Sequence, residues 1–492
     1  MGKKVLAFDF GAGSGRAMVG DFDGSRIRLE EVHRFSNDPV TLKGTLYWDF
    51  LRQFYEIQQG LTKGLRAHPD IVGIGIDTWG VDYGLLDKNG RLLDMPVHYR
   101  DKRNEEPFRK VFEKVDKKTL YSRTGIQFMD FNTVFQLYGD AQNRPELLAR
   151  AKTLLHMPDL FNYFLTGEMI SEYSIASTSQ LMDPYKGDWD YELMDMLELP
   201  RSIFRPIVDS GTRVGALSQD ICAELGVPGV DVYAVAGHDT ASAVAAVPCQ
   251  KGENYAYLSC GTWSLLGLEL KRPLINENSF AYNFTNEGGV NRTVRFLRNI
   301  IGLWLMQESR RQWKREGDDM SFADIDRLTA KAEPLARFID CDDPSFARPG
   351  NMPARIAEYC ARTGQRPPEG KGDISRCITE SLALKYRASL ENLETLCGRK
   401  VDVLRIIGGG VKDTLLCQYT ANAIRRPVKA GPIEATALGN IAVQLMALGE
   451  FSDISQARAC IAESFPPVVY EPYDSELWEG AYRRYLAVLD RA

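Results

Sequence analysis

The sequence lacks the features that mark several classes of protein. No apolar run approaches the ~20 residues needed to cross a bilayer, and the apolar run near the N-terminus breaks at Asp9, too early for a secretion signal. The nine cysteines never form a CxxC pair, and the five histidines include no HExxH motif. These absences argue against a membrane-spanning, exported or disulfide-rich protein and against a structural metal, so we expect a cytoplasmic protein.

Basic residues are outnumbered by acidic ones, with 60 Lys and Arg against 66 Asp and Glu. The formal net charge is −6 and the pI is about 5.7, which argues against a general affinity for nucleic acid or anionic membranes. The 492 residues are more than a single hydrophobic core usually contains, so we expect two domains, residues 1–245 and 246–492. The sequence gives no indication of an oligomeric state.

The common phosphate-binding signatures are missing as well. There is no Walker motif GxxxxGK[ST] and no full set of protein-kinase motifs. A nucleotide site in this chain therefore has to be built in another way.

A glycine-rich turn near the N-terminus is the first candidate for that site. It joins a strand over residues 4–8 to a strand over 17–22, and its backbone N–H groups are suited to phosphate oxygens, with Ser14 and Arg16 as further donors. Asp9 ends the first strand, where we expect it to hold the Mg²⁺ that accompanies ATP, through water. A dinucleotide fingerprint is disfavoured, because Arg16 replaces its third glycine and a strand follows the turn. A plain hairpin turn remains the alternative.

The second half of the chain repeats this pattern. A strand over 254–258, the polar turn 259–262 and a strand over 263–270 match residues 4–22 in kind, which indicates a duplicated β-domain. An ATP-binding protein of this type would use two hairpins to hold phosphates, as actin-like ATPases do, with Thr262 facing the γ-phosphate. The glycines 408–410 would leave bare backbone for adenine and ribose, unless they serve only as a strand-to-helix turn.

Asp239 is the candidate general base. It follows a buried strand over residues 232–236 and stands where a helix begins, so the helix dipole is expected to favour its ionised form. A carboxylate within reach of a sugar hydroxyl can take its proton as the phosphoryl group moves. The alternative interpretation is a helix N-cap, a position at which Asp is common.

Together these segments resemble the FGGY family of carbohydrate kinases, from residue 4 to about residue 450. The resemblance implies an α/β fold of two actin-like (ribonuclease H-like) ATPase domains with ATP and sugar in the cleft between them. The segments that carry it are Ile74–Asp82, Gly237–Val244, Leu258–Leu265, Thr285–Gly289, Asn299–Gln307 and Ala430–Asn440.

The resemblance also implies roles for individual residues. It is strongest for the branch of the family that phosphorylates the C1 hydroxyl of L-rhamnulose with ATP and Mg²⁺ in rhamnose breakdown, with Asp239 as the base. One departure is Gly13, because the family usually has another Ser or Thr there. The implied ATP contacts are Ala12, Gly13, Ser14, Gly15, Arg16, Thr262, Gln307 and Gly409, and the implied sugar contacts are Gly80, His238, Asp239, Thr240 and, at the phosphate end, Asn299.

Two alternatives stay open at this point. The first is a kinase of another ketose, such as L-fuculose, L-ribulose or D-xylulose, since Trp79, Tyr99 and Trp263 all have the size to shape a sugar pocket. The second is an actin-like ATP-binding module without sugar chemistry. A sugar-sensing regulator of that kind would be expected to carry a helix-turn-helix and a basic patch, and the sequence contains neither.

Overall fold

A computed structural model describes residues 2–250 and 252–491. The chain divides into two compact units, and neither is a continuous half of the sequence. The first unit comprises Met1–Lys251, Glu269–Phe296 and Glu434–Pro466, and the second comprises Gly252–Leu268, Leu297–Ile433 and Pro467–Ala492. The sequence division at residues 245 and 246 stays a prediction, and the units differ from it in assigning two later segments to the first unit.

The elements before residue 251 include most of the first unit. The strands are β1 (Lys3–Phe10), β2 (Ser14–Phe22), β3 (Ile27–Ser36), β4 (Val40–Leu42), β5 (Thr45–Tyr47), β6 (Ile71–Thr78), β7 (Tyr83–Leu86), β8 (Thr153–His156), β9 (Ser171–Glu172), β10 (Met182–Asp183), β11 (Asp188–Trp189), β12 (Ile207–Val208), β13 (Thr212–Ala216) and β14 (Asp231–Ala234). The helices are α1 (Phe50–Ala67), α2 (Glu105–Lys114), α3 (Lys117–Thr124), α4 (Thr133–Asn143), α5 (Pro145–Arg150), α6 (Met157–Thr166), α7 (Tyr173–Ser177), α8 (Tyr191–Met196), α9 (Gln219–Leu225) and α10 (Asp239–Ala245).

The elements after residue 251 follow in the same way. The strands are β15 (Tyr255–Cys260), β16 (Trp263–Leu270), β17 (Thr285–Gly288), β18 (Val294–Ile301), β19 (Val403–Ile407), β20 (Val428–Ala430) and β21 (Val468–Tyr470). The helices are α11 (Glu277–Ala281), α12 (Trp304–Arg315), α13 (Phe322–Lys331), α14 (Met352–Arg362), α15 (Lys371–Cys397), α16 (Thr414–Ile424), α17 (Ala435–Ala447), α18 (Ile454–Ser464) and α19 (Ser475–Leu489). Within the described residues, no helix is both long enough and apolar enough to cross a membrane.

The first unit is organised by a six-stranded sheet in the order β13-β14-β6-β1-β2-β3. Strands β14, β6 and β1 run parallel to one another, while β2 returns antiparallel to β1 as the predicted hairpin. Asp9 pairs in register with Asp77, and a β-bridge joins Thr78 to His238 just beyond β14. Since the carboxyl ends of parallel strands meet at one edge, the candidate carboxylates of this unit lie together.

Helix α17 covers the strands that carry these carboxylates. Glycines make that close approach possible, because a Cβ on Gly75 would lie 2.5 Å from the side chain of Asn440, and one on Gly439 would lie 1.7 Å from the carbonyl oxygen of Ser242 in α10. The Gln444 amide donates a 3.1 Å hydrogen bond to the Leu6 carbonyl of β1. The segment from residue 434 is therefore an integral layer of the first unit.

The second unit contains strands in the order β18-β16-β15-β19-β20-β21. Strands β15 and β16 form the second predicted hairpin, and β15 runs parallel to β19. Both predicted hairpins are thus confirmed, although Ser259 and Cys260 belong to β15 and only Gly261 and Thr262 form the turn.

Candidate active site

The carboxyl edge of the first unit's sheet carries two buried carboxylates, Asp9 and Asp77, and the partly accessible carboxylate of Asp239 follows β14. Burial raises the pKa of Asp9 to about 6, with a further contribution from the neighbouring charge of Asp239. Burial and the charge of Asp9 hold the pKa of Asp77 well above its usual value. Asp77 Oδ2 accepts a 2.6 Å hydrogen bond from Asn440, whereas its buried Oδ1 has no hydrogen-bond partner among the described residues. This edge therefore carries more negative charge than its partners neutralise.

That excess of negative charge suits a divalent cation. The Arg16 guanidinium neutralises part of it, since its Nε lies 3.3 Å from Asp9 Oδ2, and Arg16 also pairs with Glu434. Within residues 2–250 and 252–491 there is no cluster of three or more acidic, His or Cys side chains arranged to bind a metal. The residues present thus fit a magnesium ion held by Asp9 and completed by water and phosphate oxygens, as Mg²⁺ commonly is, rather than a protein-only cage.

The first turn is held open by a side chain that sequence reasoning did not identify. The Asn37 side chain donates a 2.9 Å hydrogen bond to the Gly11 carbonyl, and its backbone N–H donates to the Gly13 carbonyl at 3.3 Å. Gln53 fixes the Asn37 amide with a 2.7 Å hydrogen bond. The carbonyls of Gly11 and Gly13 are thus occupied, while the N–H groups of Ala12 and Gly13 donate to no acceptor among the described residues. Such free amides are suited to phosphate.

The two glycines on either side of Ser14 have different surroundings. A Cβ on Gly13 would meet no atom within 4 Å, whereas a Cβ on Gly15 would lie 2.2 Å from the Phe35 ring. Gly15 is therefore required for packing between β2 and β3. The space at Gly13 is open, so the hydroxyl common in the family would fit at this position.

Asp239 is the first residue of α10, and the N-cap is His238. The N-cap interpretation of Asp239 was therefore wrong. Its Oδ1 accepts hydrogen bonds from the Thr240 N–H at 2.6 Å and the Thr240 hydroxyl at 3.1 Å, whereas Oδ2 has no hydrogen bond among the described residues. Burial raises the pKa of Asp239, which is opposite to the direction expected from the helix dipole, yet 28% of the side chain stays accessible.

A strained turn places Gly80 beside His238. Val81 has a φ of 68°, a left-handed conformation that is unfavourable for a β-branched residue. Two hydroxyls hold it there, since the Val81 N–H donates to Thr178 Oγ1 at 3.0 Å and its carbonyl accepts from Thr133 Oγ1 at 2.6 Å. A Cβ on Gly80 would lie 3.4 Å from His238 Nε2 and 3.3 Å from Thr178 Cγ2. The turn thus exposes backbone next to the histidine.

The following residue, Asp82, orients the aromatic wall of this region. Its Oδ2 accepts from the indole N–H groups of Trp48 at 2.6 Å and Trp79 at 2.9 Å, and its Oδ1 accepts from Gln136 at 2.8 Å. The two indole rings lie 3.9 Å apart between centroids. Burial raises the pKa of Asp82 to about 6. The sequence around Asp82 gave no sign of this role, because Trp48 and Gln136 come from distant segments of the chain.

In the second unit, the structure brings Thr262 and Gln307 together. The Thr262 hydroxyl donates to Gln307 Oε1 at 3.2 Å. The turn's carbonyls accept backbone hydrogen bonds from the residues that begin α12, at 3.0 Å from Leu303 to Gly261 and 3.2 Å from Trp304 to Thr262. The start of helix α12 therefore holds the second turn in place through these hydrogen bonds. Asn299 lies half-buried on β18, shortly before that helix.

The three consecutive glycines of the second unit are not equivalent. Gly408 has a φ of +86°, and a Cβ on Gly410 would lie 2.2 Å from the Cys260 thiol. Gly409, between them, is exposed and would meet nothing within 4 Å. Gly408 and Gly410 thus have structural reasons to be glycine, and Gly409 is the one that presents open backbone.

Comparison with known proteins defines the class of this chain. Residues 4–246 match the N-terminal domain of the FGGY family of carbohydrate kinases, and residues 256–448 match the C-terminal domain of that family. The chain therefore belongs to the FGGY family of carbohydrate kinases, and it is an ATP-dependent sugar kinase with the two-domain α/β fold of that family.

Similar proteins within that family are rhamnulokinases. The protein of that name from Bacteroides thetaiotaomicron is 43% identical over 98% of this chain and 98% of its own length. The rhamnulokinase from Enterococcus faecalis is 41% identical over 100% of this chain and 98% of its own length. Among solved structures, gluconate kinase from Lactobacillus acidophilus aligns with a TM-score of 0.81 at 15% identity, covering 100% of this chain and 98% of that one. This last likeness concerns the fold alone.

Proposed function

We propose that this kinase transfers the γ-phosphoryl group of ATP to the C1 hydroxyl of L-rhamnulose, giving L-rhamnulose 1-phosphate and ADP in L-rhamnose degradation. The observation that carries the mechanism is Asp239, whose accessible carboxylate has one oxygen engaged by Thr240 and the other without a hydrogen bond among the described residues. The substrate is supported by the rhamnulokinases that resemble the chain at 39–43% identity over 94% of it or more.

In the reaction that we propose, Asp239 Oδ2 takes the proton of the C1 hydroxyl. The hydroxyl oxygen forms a bond to the γ-phosphorus while the bond from that phosphorus to the β–γ bridging oxygen breaks, and ADP leaves. Gly80, His238 and Thr240 contact the sugar in this proposal, and the bare backbone at Gly80 leaves room for it.

The nucleotide is bound by both phosphate turns in this proposal. The free N–H groups of Ala12 and Gly13, together with Ser14, Gly15 and Arg16, contact phosphate oxygens. In the second unit Thr262 and Gln307 act together through their 3.2 Å hydrogen bond, Gly409 offers backbone to the nucleoside, and Asn299 contacts the transferred group. Magnesium held by Asp9 would neutralise charge that develops on the phosphates.

The test is ADP release by the purified protein with Mg-ATP and a panel of L-rhamnulose, L-fuculose, L-ribulose, D-xylulose and glycerol. We expect L-rhamnulose to give the highest kcat/KM, with phosphate on C1 of the product. A higher kcat/KM with another ketose would show that L-rhamnulose is not the substrate, and the proposed role of Asp239 as base would still stand. ATP binding without stimulation by any sugar would favour a non-enzymatic binding module.

The role of Asp239 has its own test in Asp239→Asn. We expect kcat to fall ~100-fold or more, because the base is lost, while the affinity for ATP is nearly unchanged. Asp231→Asn is the matched control, since Asp231 begins β14, the strand that precedes α10, and forms an ion pair with Arg213. Wild-type turnover in Asp239→Asn would remove this residue from the role of base.

A further inference from the structure

A buried arginine contacts the histidine that precedes the candidate base. Arg295, on β18, is fully buried. Its Nε donates a 2.7 Å hydrogen bond to the Gly288 carbonyl, and its Nη2 lies 3.0 Å from His238 Nδ1 and 3.1 Å from Glu287 Oε2. Arg295 thus joins the imidazole ring to a carboxylate inside the first unit.

The chemistry of this contact determines where the imidazole carries its proton. A guanidinium group has only donors and keeps its charge in proteins, so Nδ1 must accept. A neutral histidine whose Nδ1 accepts carries its proton on Nε2. We propose that Arg295 is a positioning residue of this kinase that fixes His238 as the Nε2–H tautomer. Its consequence for catalysis rests on the proposed function, whereas the tautomer itself does not.

The tautomer matters because His238 Nε2 faces the base. It lies 3.4 Å from Asp239 Oδ1, the same oxygen that accepts both hydrogen bonds from Thr240. A proton on Nε2 adds a third favourable contact to Oδ1 and keeps Oδ2 turned toward the acceptor hydroxyl. In the other tautomer a lone pair on Nε2 would face the carboxylate and repel it.

Glu287 has a second role in this arrangement. Its Oε2 lies 3.3 Å from His238 Nδ1 as well as close to Arg295, so it compensates the buried positive charge. It is also the acceptor that an Nδ1–H group would find if the arginine were removed. The pair Arg295 and Glu287 therefore decides between the two tautomers, and a variant that changes both keeps the buried charge balanced.

The first experiment measures the tautomer directly, by long-range ¹H–¹⁵N correlation of ring nitrogens in protein labelled with ¹⁵N-histidine. The sequence has five histidines, at positions 33, 68, 98, 156 and 238, and His238→Gln identifies the signals of His238. We expect an unprotonated Nδ1 and a protonated Nε2 in the wild-type protein. A protonated Nδ1 would overturn the proposal without any need for a variant or an activity assay.

The second experiment uses the double variant Arg295→Met/Glu287→Gln. We expect its His238 signals to move toward the Nδ1–H tautomer, because the amide oxygen introduced at position 287 accepts and no guanidinium donates. With L-rhamnulose we expect kcat to fall about 10-fold, a fraction of the loss expected for the base itself, with the KM for ATP unchanged. Arg292→Met is the control, because Arg292 is exposed and pairs with Asp209.

The outcomes separate this inference from the proposed function. A double variant that keeps the wild-type tautomer would overturn the role of Arg295, whatever its activity. A wild-type protein that has the expected tautomer but does not phosphorylate L-rhamnulose would contradict the substrate and leave the tautomer assignment intact. If the double variant does not fold, the wild-type spectrum still decides the tautomer.

Discussion

The hairpin β1–β2 of the first unit and the hairpin β15–β16 of the second have the same backbone plan and different chemistry. Each closes with a hydrogen bond across the turn, from Gly11 N–H to the Ser14 carbonyl at 3.0 Å and from Gly261 N–H to the Trp263 carbonyl at 2.8 Å. The first hairpin carries charge where β1 ends, with Asp9 paired to Arg16. The two hairpins thus share one backbone arrangement and carry different side chains.

The second hairpin has neutral groups at the corresponding place. Cys260 ends β15, and opposite it Ser264 shares a 2.7 Å hydrogen bond with the buried Tyr386 hydroxyl. Close packing against Gly410 fixes the position of the thiol. The comparison indicates that the first hairpin acts through charge and the second through shape, and four predictions test that difference.

The largest expected effect is that of Asp9→Asn. If the first hairpin acts through charge, the magnesium concentration for half-maximal rate should rise about 10- to 100-fold, as for other groups that act on a metal through an intervening ligand. Cys260→Ser in the second hairpin should leave the magnesium dependence unchanged. The measurement is initial rate against magnesium at saturating ATP, and an unchanged curve for Asp9→Asn would remove the metal role.

The next effect concerns shape. Gly410→Ala places a Cβ 2.2 Å from the Cys260 thiol and should lower the free energy of unfolding by about 1–3 kcal/mol, which is typical of overpacking. Gly409→Ala is the matched control, because nothing lies within 4 Å of its Cβ. Thermal unfolding of both variants gives the comparison. Equal melting temperatures would show that packing at the second hairpin is less strict than we infer.

The third prediction concerns the pH dependence of the free energy of unfolding, to which the two hairpins should contribute differently. The pKa of Asp9 is raised from 3.8 to about 6, so the metal-free folded state binds more protons than the unfolded state between these values. Stability should therefore rise as pH falls from about 6 toward 4. Asp9→Asn should reduce this slope, by about 1 kcal/mol or more over the window.

The second hairpin should contribute nothing to that slope. Burial raises the pKa of Cys260 to about 11, so its thiol stays neutral throughout the range. Chemical unfolding between pH 4.5 and 7 of the wild-type protein, Asp9→Asn and Cys260→Ser is the measurement. A slope that Cys260→Ser changes as much as Asp9→Asn would contradict the division between charge and shape.

The smallest effect is a gain. Gly13→Ser adds a hydroxyl to the first turn in open space, and one added hydrogen bond of about 0.5–1.5 kcal/mol should lower the KM for ATP a few-fold. Gly15→Ser is the contrasting variant, since its Cβ would lie 2.2 Å from the Phe35 ring and should reduce the melting temperature. A higher KM for ATP in Gly13→Ser would mean that the open backbone is itself the binding feature.

Local sequence patterns were enough to predict both hairpins and the strand that leads to Asp239. They were enough because glycine turns and alternating or continuous apolar residues report on the chain within a few positions. The same reasoning placed Asp9 near the end of the first strand and Asp239 at the start of a helix, where the structure has them.

What the sequence did not reveal depends on residues far apart in the chain. The hydrogen bond from Asn440 to Asp77 and the contact of Arg295 with His238 join distant segments, and no local pattern encodes such pairs. The raised pKa of Asp239 has the same origin, because burial by the completed fold outweighs the local effect of a helix terminus. The strain at Val81 is likewise imposed from outside, by two threonine hydroxyls.

The discontinuous first unit has a consequence for the synthesis of this protein. Its sheet is covered by α17, and its buried Asp77 accepts a hydrogen bond from Asn440 of that helix. Helix α17 is translated only after nearly all of the second unit. A nascent chain that ends before residue 434 therefore has the carboxylates of the first unit without their cover. We expect such a chain on the ribosome to remain a client for chaperones, and catalytic competence to arise only in the last moments of translation.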